Sequence, residues 1–80
     1  MKKEFRVQAQ RLRLLRKESG LNLRELSKKV GISKSALSSY ERGERDLTIN
    51  MVKRLADFYN EDVQWIIGEN EHRRLKKISS

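Results

Sequence analysis

The sequence predicts an all-α domain of five short helices. Three observations carry that reading. Apolar residues recur at three- and four-residue spacing in successive segments. Between those segments stand residues that start helices (Asn22, Ser33, Thr48, Asp62) and residues that stop them (Gly20, Gly31, Gly43, Gly68). No alternating apolar run flanks an Asn-Gly or Asp-Gly pair, so no β-hairpin is signalled.

Each element follows from its own residues. Residues 1–4 are charged and read as a frayed, flexible start. The first helix is expected from about Phe5 to Ser19. Phe5, Ala9, Leu12 and Leu15 share one face, while Arg6, Arg13 and Lys17 lie elsewhere. Gly20 ends it, because glycine tolerates the left-handed conformation of a helix cap. Asn22 opens the second helix, Leu23 to Val30, with Glu25 placed three residues on as in a capping box. Leu26 and Val30 face inward, and Ser27 is small where the next helix should cross. Gly31 ends this helix and Ile32 packs in the turn. Ser33 caps a third helix that ends near Arg42, with Ala36, Leu37 and Tyr40 on its inner face. Thr48 caps a fourth, where Ile49, Val52, Leu55, Ala56 and Tyr59 form a broad apolar stripe. Asn60 supplies a left-handed end without a glycine. Asp62 caps a short fifth helix carrying Val63, Ile66 and Ile67, and Gly68 closes it. Residues 5–68 thus form one domain. Residues 69–80 read either as a short extra helix, with Leu75 and Ile78 on one side, or as a basic tail.

Composition narrows the function. Eighty residues make one small domain. Nineteen Lys and Arg against eleven Asp and Glu give a formal charge of +8, which suits a polyanionic partner. There is no cysteine and only one histidine, His72, so neither a disulfide nor a metal site is expected. No apolar run approaches a membrane span, and a cytoplasmic location is the default expectation. No catalytic constellation and no Gly-rich phosphate loop is visible, so an enzyme is not expected. No cofactor is implied either.

Leu23 to Arg45 organises the rest. Two short helices joined by a tight turn through Gly31 and Ile32 form a helix-turn-helix, whose second helix presents small polar and basic side chains outward. Around it, residues 9–68 resemble the five-helix DNA-binding domain of lambdoid-phage repressors and Cro proteins, the Xre family. The resemblance rests on an ordered set: Arg16-x-x-x-Gly20-Leu21, Glu25-Leu26-Ser27, Val30-Gly31-Ile32-Ser33, Tyr40-Glu41-Arg42-Gly43 and Leu55-Ala56. It implies a lambda-repressor-like fold and a sequence-specific transcriptional regulator of prokaryotic or phage type, most simply a repressor. The chain departs from the family at Leu23, where a phosphate-contacting Gln or Thr is frequent, and at Ser27, where Ala is usual. It also departs at Leu47, where Pro is usual, and at Glu61, where an apolar residue is frequent. The run Arg45-Asp46-Leu47-Thr48-Ile49 is similar to controller proteins of restriction-modification systems.

The expected chemistry divides by position. Major-groove reading needs side chains on the start and outer face of one helix. With Ala36, Leu37 and Tyr40 turned inward, Lys34, Ser35, Ser38 and Ser39 are left to touch base edges. Asn22 and Arg24 at the start of the second helix suit phosphates. So do Arg42 and Arg45 after the third, Asn50 and Lys53 near the start of the fourth, and Arg11 on the first. The resemblance implies that Arg16 and Glu41 form a structural ion pair. So small a reading surface needs a second copy on a palindrome, and Trp65, Ile66 and Ile67 are the expected homodimer contact. Trp65 sits one residue off the apolar face of its helix and is expected to be half exposed. Glu44 or Asp46 could face polymerase if the protein activates. A restriction-modification controller protein, or an antitoxin-like module that binds a partner protein through residues 69–80 as well as its operator, is the alternative function.

Overall fold

The computed structural model describes residues 3–71, with side chains from residue 6 onward. The predicted core position of Phe5 falls on a side chain that is not described, and the readings of His72, Leu75 and Ile78 lie outside the described residues.

Five helices follow in order: α1 (Lys3–Ser19), α2 (Leu23–Val30), α3 (Lys34–Glu41), α4 (Ile49–Tyr59) and α5 (Val63–Ile66). Local chemistry sets their ends. The Asn22 side chain accepts from the Glu25 amide at 2.8 Å, and Glu25 accepts from the Asn22 amide at 2.9 Å, so two amides at the start of α2 are satisfied reciprocally. Ser33, Thr48 and Asp62 cap α3, α4 and α5 through their side-chain oxygens. Asn60 stops α4 at φ 56°, the left-handed conformation that asparagine tolerates better than most residues. Gly68 is needed for two reasons. Its φ is 89°, and a Cβ there would stand 3.0 Å from Val7 on α1.

α1 packs on α3 and α5, α2 on α3 and α4, and α4 on α5. Leu12, Leu15, Leu26, Val30, Ile32, Leu37, Tyr40, Val52, Leu55, Ala56, Trp65 and Ile66 fuse into one core. Ser27 adds a polar stitch: its hydroxyl donates to the Ile32 carbonyl at 2.7 Å, tying α2 to the turn before α3. Arg54 on α4 donates to the Val30 and Gly31 carbonyls at 3.3 and 3.1 Å, which serves the exposed carbonyl end of α2. Among the described residues, no helix is long and apolar enough to cross a membrane.

Two core expectations need correction. Ile49, expected on the buried stripe of α4, is 67% exposed. Ile49 is the first residue of α4, and the core begins further along the helix, at Met51 and Val52. Trp65, expected to be half exposed, is buried at 4%. The Arg11 guanidinium lies 4.8 Å from the centroid of its ring and covers it from α1.

Candidate nucleic-acid interface

The third helix is held from behind by charge. Arg16 on α1 donates through Nε to Glu41 Oε2 at 2.8 Å and through Nη2 to Oε1 at 2.9 Å. Its Nη1 donates to the Leu21 carbonyl at 3.1 Å. Arg13, one turn earlier, donates to the Glu41 carbonyl at 3.0 Å. The end of α3 is therefore anchored to α1 through both its side chain and its backbone. The Glu41 hydrogen bond is also the main reason that the Arg16 guanidinium holds its proton more tightly than usual. Nearby, burial and then the Glu41 charge push the Tyr59 phenol up to about 12, against the opposing pull of Arg16.

Anchored this way, α3 turns its other side to solvent. Lys34, Ser35, Ser38, Ser39 and Arg42 line one open concavity there. Four of them are the residues that sequence reasoning assigned to base edges. Arg42, assigned to a phosphate, joins them on the same surface. Lys34 and Ser35 are exposed, whereas Ser38 and Ser39 are half-buried. Ser38 Oγ accepts a hydrogen bond from Arg42 Nη1, which leaves the hydroxyl proton of Ser38 to donate elsewhere.

The expected phosphate residues separate into groups. Arg24, Asn50 and Lys53 are exposed. Asn22 is exposed too, although its oxygen is committed to the α2 cap and only its amide protons remain to donate. Arg45 is exposed, with its guanidinium 5.4 Å from the centroid of the Tyr40 ring. Arg11 does not fit its expected role. It donates to the Trp65 carbonyl at 2.6 Å and to the Asn70 carbonyl at 3.0 Å, and it pairs with Glu71 at 3.8 Å. Arg11 therefore ties α1 to the segment around α5. The sequence shows its charge and helix, but its partners lie more than fifty positions away.

The expected dimer residues also need correction. Trp65 and Ile66 are 4% and 0% exposed, so both are spent inside one protomer, and only Ile67 is half-buried. A four-residue helix that packs against both α1 and α4 has little face left over. Asp46 accepts from Gln8 at 3.2 Å and Glu44 forms a fork with Arg42, so neither acidic side chain stands alone on the surface. Sequence reasoning missed the Arg42–Glu44 pair, although two residues of opposite charge just after a helix were its visible signal. Among the described residues, no group of side chains is suited to a metal ion.

A short helix crossing, a glycine-ended turn and a second helix whose outer face carries small polar and basic residues define a helix-turn-helix domain. The comparisons give the same answer: residues 12–66 match the family model described as helix-turn-helix, and the chain belongs to that family of transcriptional regulators. One relative is the cryptic phage CTXphi transcriptional repressor RstR of Vibrio cholerae. It is 29% identical over 70 residues, which cover 88% of this chain and 63% of the relative. The HTH-type transcriptional regulator YobD of Bacillus subtilis is 37% identical over 59 residues, covering 74% of this chain and 53% of YobD. A protein of Methanocorpusculum labreanum, whose name describes an HTH-type transcriptional regulatory protein, is 39% identical over 57 residues. That match covers 71% of this chain and 18% of the relative. The chain thus spans less than two thirds of each of these relatives. No solved structure matches the chain significantly.

Proposed function

We propose that this chain binds double-stranded DNA sequence-specifically as a homodimer, places α3 in the major groove of a palindromic operator, and represses transcription. The observation that carries the reading is that Lys34, Ser35, Ser38, Ser39 and Arg42 line the same concavity. It lies on the side of α3 left free by the Arg16–Glu41 anchor.

Lys34 suits guanine O6 and N7, and the serines donate or accept at either kind of base pair. Short side chains also bring the helix backbone close to the bases, so thymine methyl groups, bridging waters and DNA shape contribute to recognition. Arg24, Arg45, Asn50 and Lys53, with the Asn22 amide protons, supply the flanking phosphate contacts. The overall charge of +8 supports such binding. One α3 reads few base pairs, which is why a two-fold pair of protomers is part of the reading. Its contact surface lies elsewhere than Trp65 and Ile66. The name of the relative RstR, a transcriptional repressor, supports repression over activation.

Selection of bound sequences from random duplex DNA tests the reading. The expected result is a palindrome with half-site centres about 34 Å apart. With Arg24, Arg45 and Lys53 neutralising about three phosphates per protomer, affinity falls steeply with salt, each contact adding close to −0.9 to the log–log slope. A slope shallower than about −3 for the dimer, or a consensus without symmetry, overturns this account of binding.

A further inference from the structure

Arg42 is held differently from every other candidate DNA contact. Glu44 Oε2 accepts from its Nε at 3.0 Å, and Glu44 Oε1 accepts from its Nη2 at 2.9 Å. Ser38 Oγ accepts from its Nη1. A guanidinium carries five N–H groups. Three are used, and one remains on each terminal nitrogen. Two donors on adjacent nitrogens are the number that the O6 and N7 acceptors of guanine take up.

Charge separates two possible targets for those donors. A phosphate binds an arginine largely through its positive charge. Here that charge is already matched by a carboxylate, and the carboxylate would itself repel a phosphate brought close. A guanine edge is neutral and asks only for donors at fixed positions. A carboxylate that neutralises the guanidinium and fixes its rotamers thus weakens a phosphate contact but favours a base contact. Position agrees with charge, because Arg42 lines the same concavity as Lys34, Ser35, Ser38 and Ser39.

We propose that Arg42 is a specificity-determining base reader directed at a guanine, and that Glu44 and Ser38 are the positioning residues that aim it. This rests on the reading of α3 as a major-groove helix and revises the assignment of Arg42 to a phosphate. The Arg42–Glu44 pair is the device that enlarges an otherwise small reading surface.

The test compares the full chain with Arg42→Ala, Arg42→Lys and Glu44→Gln, using selection from random duplexes and then titration of the selected duplex. Both side chains are exposed, and an unchanged melting temperature certifies each variant. The wild-type protein is expected to require guanine at one position of each half-site. Arg42→Ala is expected to lose that preference by roughly tenfold or more while its salt slope stays unchanged. Arg42→Lys, which keeps the charge but not the two-nitrogen fork, is expected to lose it as well. Replacing that guanine by 7-deazaguanine should weaken the wild-type complex and leave the Arg42→Ala complex unaffected. Glu44→Gln should lower discrimination at the same position and steepen the salt slope, since the guanidinium charge is released. If Arg42→Ala keeps every base preference and only makes the slope shallower by about 0.9, Arg42 is a phosphate contact and the proposal fails. A Glu44→Gln variant with the wild-type preference removes the positioning role. If the wild-type chain enriches no duplex at all, the DNA-reading function fails with it. An enriched motif indifferent to all three variants overturns the proposal alone.

Discussion

Two arginine–glutamate pairs meet the end of α3, and they use the same atoms. In Arg16–Glu41, Nε and Nη2 donate to Oε2 and Oε1 at 2.8 and 2.9 Å; in Arg42–Glu44 the same atoms meet at 3.0 and 2.9 Å. Their surroundings differ. The side chains of the first pair are 18% and 8% exposed, those of the second 54% and 56%. The first joins residues 25 positions apart, the second residues two apart. Equal geometry therefore serves unequal ends. A pair withdrawn from water is structural, because removing one partner strands the other charge. A pair in water contributes little to folding. What it can fix is the direction of a side chain.

The largest expected effect tests that division directly. Glu41→Ala should lower unfolding stability by about 3 kcal/mol in urea titration, with DNA binding lost only as a consequence. A variant with an unchanged midpoint but lost binding would reverse the assignment and place Glu41 on the functional side. Asn22→Ala sharpens the comparison, since Asn22 is exposed like Arg42. Its loss should nevertheless cost about 1 kcal/mol, because its partner is a backbone amide at a helix start that has no intrahelical acceptor. A thermal melt indistinguishable from wild type would show that water replaces this cap without cost.

A smaller effect appears only in alkali. The folded Tyr59 phenol is pushed up to about 12, above the value near 10 of an exposed tyrosine. Between those values the native chain keeps a proton that the unfolded chain loses. The contribution is therefore whole below pH ~10 and declines as pH rises towards 12. Tyr59→Phe should lack this decline, so the stability difference between wild type and variant should change across that interval. Parallel stability curves for the two proteins across that interval would refute it. The smallest effect is expected for Glu44→Gln, whose urea midpoint should match wild type even as base discrimination falls. A clear loss of stability there would mean that the exposed pair, too, is part of the scaffold.

Much of the fold was legible because helix ends are written locally. Asn22 with Glu25, Ser33, Thr48, Asp62 and the left-handed Asn60 each depend on residues within a few positions, and each sits where local chemistry put it. Helix α1 already includes Lys3, ahead of the expected start at Phe5. The outer face of α3 was legible for a related reason: once Leu37 and Tyr40 turn inward, helical period alone leaves Lys34, Ser35, Ser38 and Ser39 outside. The Arg16–Glu41 pair was accessible only through family resemblance, since nothing in the spacing of two residues so far apart brings them together.

By itself, then, the sequence determined the number and order of helices, the glycine- and asparagine-ended turns, the helix-turn-helix and the basic balance of the surface. All are consequences of backbone preference and side-chain period over short range. Only the tertiary structure decided the use of each charge and the limits of the core. Arg11 left the phosphate group to cover Trp65, Trp65 and Ile66 left the dimer surface for the interior, and Ile49 left the core for solvent. The physical reason is common to all four. Burial depends on which distant element arrives on top of a residue, and a guanidinium is directed by whichever acceptors the fold brings within about 3 Å.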